Sequence, residues 1–245
     1  MLKELRPAFM MMLVMTILTG LIYPAVITGI AQAVFPDQAN GSLIVADGKV
    51  IGSRLIGQNF SKPEYFFPRP SSAGGGYDPT AGAGSNLGPT SAKLINGTTR
   101  KDEKGNEVAD FLGIKARIVH YCIDNDLAYD SSIPLETFKD AQGNLDDAKL
   151  IAAFGDEKTP LVFTPNTPIP ADAVTGSASG LDPDISPGNA QLQAARVAKA
   201  RGVPVEQVQG MIAQRTEGRT LGFLGEPHVN VLELNLALDA QFPRR

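Results

Sequence analysis

The chain has 245 residues, a formal charge of −4, 25 glycines, 18 prolines, one cysteine and no tryptophan. An acidic balance with no basic stripe outside the short run from Arg196 to Arg201 argues against nucleic acid as a partner, and the single Cys122 excludes an internal disulfide. So much glycine and proline predicts a loop-rich architecture rather than a simple helix bundle.

From Pro7 to Phe35 no side chain is charged, a run longer than the roughly 20 residues that a helix needs to cross a bilayer. Residues 1–36 are therefore expected to form a transmembrane anchor. At about 1.5 Å per residue the run would reach roughly 43 Å, so it must tilt or project beyond the lipid. The rival reading is a cleaved signal peptide, with Lys3 and Arg6 as its positive start and Ala31-Gln32-Ala33 as a cleavage site. The apolar run is too long for the usual core of about 7 to 15 residues, which favours an uncleaved anchor. Lys3 and Arg6 precede the helix and Asp37 and Asp47 follow it. Cationic flanks stay in the cytoplasm, so the N-terminus is expected there and the rest of the chain outside a bacterial inner membrane. Thr16 and Gly20, and then Ala25, Gly29 and Ala33, recur at four-residue spacing. Such small residues let a second membrane helix approach closely, although glycine and proline are common in membrane helices anyway, and Pro24 adds a kink.

Residues 37–245 are expected to form one extracytoplasmic α+β domain. Ser42 to Ala46 and Lys49 to Leu55, separated by Asp47-Gly48, predict a β-hairpin. The stretch Ile56 to Pro89 is rich in Pro, Gly and Ser, yet it carries Phe60, Tyr65, Phe66, Phe67 and Tyr77. That many rings predict an ordered loop tucked against the core rather than a linker. Thr99 to Ala109 reads as a polar turn, Asp110 to Ile123 and Leu145 to Phe154 as helices, and Leu161 to Phe163 as a short strand. Ser186 as cap, Pro187 at the first helical position, the stripe Ala190, Ala194, Val197 and Ala198, and a terminal Gly202 predict a helix. A second helix begins at Pro204, and Asn230 with Glu233 has capping-box spacing before a third that runs to Gln241.

Catalytic signatures are missing. The pair Gly48-Lys49 lies in a hairpin, and Leu87 stands where a dinucleotide fingerprint after Gly82 and Gly84 needs glycine. Gly176-Ser177-Ala178-Ser179-Gly180 has alanine at the centre of what would be a nucleophile elbow. His120 and His228 lack partners at zinc spacing, and Asp124, Asp126 and Asp130 lack the glycine of a calcium loop, so no metal site is expected. These residues predict a binding or assembly role. The segment Ser179 to Pro187 is expected to be a rigid, partner-facing loop with Ser179, Gly180, Asp182 and Asp184. Its carboxylates would either raise the local cation concentration at a functional surface or favour the positive end of the following helix, by about 0.3 to 1 kcal/mol each.

Five segments in register resemble the C subunit of the Kdp-type potassium-transporting ATPase: TGLIYPAVITGIAQAVFP, GSLI with DGKVIGSRLIGQNF, YFFPRPSSAGGGYDPTAGAGSNLGPTS, IPADAVTGSASGLDPDISPGNAQLQAARVAKARG and HVNVLELNLALD. Thr99 to Thr167 departs from the family pattern as a large middle insertion, and it is expected to be a surface excursion. The resemblance implies a non-catalytic subunit that works beside a channel-like A subunit and a P-type B subunit, with ATP implied through the B subunit and no cofactor assigned to this chain directly. It further implies that the subunit stabilises their assembly and acts as a catalytic chaperone that raises the ATP affinity of the B subunit. The alternative is an anchored extracytoplasmic serine hydrolase using Ser177 or Ser179.

Overall fold

Pro24 shapes the first helix, because it has no N–H to give and its ring collides with the carbonyl of Gly20. In the computed structural model, which describes residues 2–46, 48–140, 142–156 and 158–243, the chain meets this with a local loosening. Helix α1 (Leu2–Ile17) passes into a π-helical turn (Leu18–Ile22), and α2 (Tyr23–Val34) then starts with proline in its first turn. Thr19 donates to the Met15 carbonyl at 2.7 Å just before the proline. The continuous helix Lys3–Val34 spans 32 residues with a mean hydropathy of 2.1, and its apolar window buries nothing. It is long and apolar enough to cross a membrane.

A short helix α3 (Pro36–Ala39) leads to the expected hairpin of β1 (Leu43–Ala46) and β2 (Lys49–Ser53), with a bulge between Ile44 and Val45. Gly48 takes φ +74°, where glycine is unstrained, while Asp47 of the expected turn lies outside the described residues. The chain divides after Leu55 into two compact units.

The second unit opens with the ring-bearing loop, whose Tyr65, Phe66 and Tyr77 are buried as expected. After α4 (Ala92–Asn96), the segment read as a polar turn is a hairpin of β3 (Thr98–Lys101) and β4 (Glu107–Phe111). Asp102 closes it by accepting from the Lys104 and Asn106 amides at 2.8 Å each. The next helix, α5 (Ile114–Asp124), therefore begins later than expected, after Gly113, because Asp110 belongs to β4 and holds Lys93 and Thr98. Strand β5 (Tyr129–Ser131), a 3₁₀ turn (Leu135–Phe138), α6 (Asp147–Phe154) and β6 (Phe163–Pro165) follow. Leu161, expected in that last strand, packs into the core instead.

Next come α7 (Ala171–Val174), β7 (Asp184–Ile185), α8 (Pro187–Arg201), α9 (Val205–Gln214), β8 (Thr216–Glu217), β9 (His228–Asn230) and α10 (Val231–Gln241). The α8 grammar holds throughout: Ser186 Oγ accepts from the Asn189 amide at 3.1 Å, and Gly202 ends the helix at φ +65°. Strands β7, β9 and β8 form a small antiparallel sheet in that order.

Two apolar clusters hold this unit. In one, Ala190, Ala194, Val197 and Ala198 of α8 meet Val208 and Ile212 of α9, Leu234 and Leu238 of α10, and Phe66. In the other, Ala116 and Val119 of α5 meet Phe138, Leu161 and Leu150, Ile151 and Phe154 of α6. Full burial of a side chain such as Phe66 or Leu150 stabilises by about 1.5 to 3 kcal/mol. The second cluster is drawn wholly from residues 99–167, so that segment brings a core of its own. Its Tyr121 and Asn125 are buried and hydrogen-bond α8, which a solvent-facing insertion would not do.

Candidate functional site

Thr16, Gly20, Ala25, Gly29 and Ala33 all lie on the exposed N-terminal helix, and a Cβ added at Gly20 or Gly29 would meet nothing within 4 Å. The faces expected to receive another helix are thus open.

The loop before α8 spends its polar groups on bonds inside the molecule. Arg69 donates to Asp182 at 2.7 Å and to the Gly176 carbonyl at 3.3 Å. Tyr77 Oη lies 2.9 Å from the Arg69 carbonyl and 3.3 Å from that of Asp182, and burial pushes its pKa well above the usual phenol value. Asp184 accepts from Asn230 at 3.2 Å and lies 3.9 Å from His228 Nε2, which also lies 3.7 Å from Glu217. Burial, more than any neighbouring charge, raises the Asp184 pKa. Ser179 is exposed, but Gly180 is buried at φ +68°, where a Cβ would run into the Ala83 carbonyl oxygen. Gly180 therefore turns the chain inward and offers no surface to a partner.

Neither loop carboxylate sits on the N-terminus of α8. Asp172, unflagged in the sequence, takes that place, accepting from the Ser186 amide and hydroxyl at 2.8 Å each and from Asn189 Nδ2 at 3.0 Å. Ser177 and Ser179 lie 3.3 Å apart and accept the amides of Gly180 and Leu181. Among the described residues neither hydroxyl bonds an imidazole, since His120 meets Asp147 and His228 meets the Glu226 carbonyl.

Beneath the loop runs a buried polar network that the sequence reading missed. Asn189, Gln193 and Arg196 follow one another at four and three residues along α8, beside its apolar stripe, and each is 6 % exposed or less. Gln193 binds Phe67 through both its carbonyl and its amide and also donates to Asn189. Arg196 donates to Pro63 and Tyr65 carbonyls at 2.6 and 2.8 Å, to Asn125 at 3.0 Å and to Gln193 at 2.7 Å, and it stacks 3.8 Å over the Phe67 ring. Burial lowers its pKa to about 10, which leaves it charged at neutral pH. From α10, Asn235 clamps the backbone of Phe66 at 2.8 and 3.0 Å. The signal in the sequence was a set of large polar residues at helical spacing within an apolar face.

A cleft of about 440 Å³ opens between the ring-bearing loop and α5, with Phe67, Arg69, Tyr77, Arg117 and His120 on its walls. His120 hydrogen-bonds Asp147 at 2.6 Å, and that bond raises its pKa despite burial. A raised folded-state value means that the pair stabilises fully below about 6.5, the ordinary histidine pKa. The contribution is lost as pH rises through the folded-state pKa. In an NMR titration His120 is expected to ionise above its ordinary value and to fall back in Asp147→Asn; no change in the variant would show that the bond is not formed.

These inward-facing groups tie the loop, α5 and α8 together. A family model described as "K+-transporting ATPase, c chain" and named KdpC matches residues 5–131 and 143–240. The chain belongs to the KdpC family. Potassium-transporting ATPase KdpC subunits from Beijerinckia indica and Caulobacter vibrioides are 45% identical over 243 residues and 46% identical over 244, each covering 99% of this chain and 96% of the relative. That of Mycobacterium tuberculosis is 44% identical over 237 residues, covering 97% of this chain and 98% of the relative. Most of the segment read as a middle insertion lies within the matched KdpC region. Like other KdpC chains, this one is an accessory subunit of a potassium-transporting ATPase.

Proposed function

We propose that this chain holds together the channel-like A subunit and the P-type B subunit of a high-affinity potassium pump, and performs no catalysis itself. The observation that carries the reading is the KdpC match along almost the whole chain, joined to one apolar helix whose surface is unburied. In this reading Thr16, Gly20, Ala25, Gly29 and Ala33 receive partner helices within the bilayer. The exposed side of the loop at Ser179, with Asp182 and Asp184 beside it, faces the partner outside.

Lys3 and Arg6 before the helix support a cytoplasmic N-terminus and an extracytoplasmic domain at the inner membrane. A reporter fused after Arg245 tests this orientation: periplasmic activity is expected, and cytoplasmic activity would contradict it. With the domain on that side, a chaperone effect on ATP affinity has to act as coupling across the membrane rather than through shared contact with the nucleotide. A pump lacking this chain should then need more ATP for half-maximal hydrolysis, and an unchanged ATP dependence would remove that role.

A further inference from the structure

The connection between β8 and β9 ends in a tip where apolar side chains stand in solvent. Leu221 is 79 % exposed, Phe223 68 % and Leu224 49 %. The tip is a built hairpin: the Thr220 amide donates to the Leu224 carbonyl at 2.8 Å, the Leu224 amide returns to Thr220 at 3.0 Å, and Arg219 pairs with Glu226 at 2.6 Å. Leu221 and Gly222 at its turn take φ +55° and +81°.

Leucine is disfavoured at this position twice over. A branched side chain resists a left-handed backbone, and a large apolar group gains nothing from water. Asparagine would satisfy both conditions, so the isolated domain gives no reason for leucine here. Strain of this kind points to a contact made outside the fold.

We infer that this tip inserts into an apolar pocket on another protein chain of the potassium-transporting ATPase; the inference rests on the subunit reading above. Arg219 and Glu226, which pair at the base of the tip, and Glu217 on β8 give a rim of both signs with no basic excess. An apolar centre within a rim of both signs matches a protein interface, whereas docking on an anionic lipid surface calls for a basic rim. The tip springs from β8 and β9, which share one sheet with β7 and its Asp184. It thus extends the same partner-facing region.

The test places the photo-crosslinking amino acid benzoylphenylalanine at position 223 of the full chain, expressed in membranes together with the pump subunits, with Glu136 as an exposed control site. The expected result is one discrete adduct with a larger pump subunit from position 223 and none from 136. If the chain co-purifies with the pump but position 223 captures only lipid, a second copy of this chain or nothing, the inference is overturned while the subunit reading stands. Failure to co-purify at all overturns both. Leu221→Asn supplies a second readout, because asparagine tolerates the backbone. The thermal midpoint of the chain should hold or rise while its retention by the other subunits weakens about tenfold or more, and unchanged retention would count against the tip.

Discussion

Arg196→Ala is expected to cost the domain about 3 to 5 kcal/mol, a large share of the roughly 5 to 15 kcal/mol that keeps a domain folded. The substitution removes four donated hydrogen bonds at once, leaving the Pro63 and Tyr65 carbonyls, Asn125 and Gln193 without that donor, and it removes the stack on Phe67. Lysine in the same place recovers charge but not the planar fork, so Arg196→Lys should fall between alanine and wild type. Chemical denaturation of the full chain in detergent checks both variants. A midpoint for Arg196→Ala within error of wild type would mean that water replaces the guanidinium and that the network does not hold the loop.

Replacing residues 99–167 with a short Gly/Ser bridge is expected to have the other large effect. It would delete the whole second apolar cluster together with Asn125 and Tyr121, which bond Arg196 and Asn189. Chain closure itself would cost little. The loss comes from the bonds that Asn189 and Arg196 of α8 make with Tyr121 and Asn125, each worth about 0.5 to 3 kcal/mol net, and from the α8 surface that α5 covers. The bridged chain should therefore fail to accumulate or should melt far below wild type, and Tyr121→Phe should show a small part of the same loss. A bridged chain that melts like wild type and still supports the pump would show that the segment is an independent excursion after all.

These two effects mark where the sequence could be read and where it could not. Helix α8 was legible because its instructions are local: Ser186, Pro187, the alanine-valine stripe and Gly202 all lie within one stretch of chain. The same holds for Asn230 capping α10 and for the anchor, whose apolar length needs no tertiary knowledge. Residues whose meaning depends on distant partners were opaque. Arg196 looks like one of several cations near a helix end until the carbonyls of Pro63 and Tyr65 arrive from more than a hundred residues away. Asp172 lies in sequence between two prolines and the glycine-serine run, and only the fold sets it on the first turn of α8. Strands β7, β8 and β9, of two or three residues each, are too short to show any alternation. The π-turn was foreseeable in part, since Pro24 demands a departure from the regular helix without saying which one.

A structural partner of a potassium pump should leave the membrane together with that pump, and co-purification reads this out. The full chain, tagged at its C-terminus and solubilised from membranes in mild detergent, should bring down two larger membrane proteins, a channel-like subunit and a P-type subunit, with potassium-dependent ATPase activity in the eluate. Elution of the chain alone, with the ATPase activity retained by the other two subunits in the unbound fraction, would contradict it.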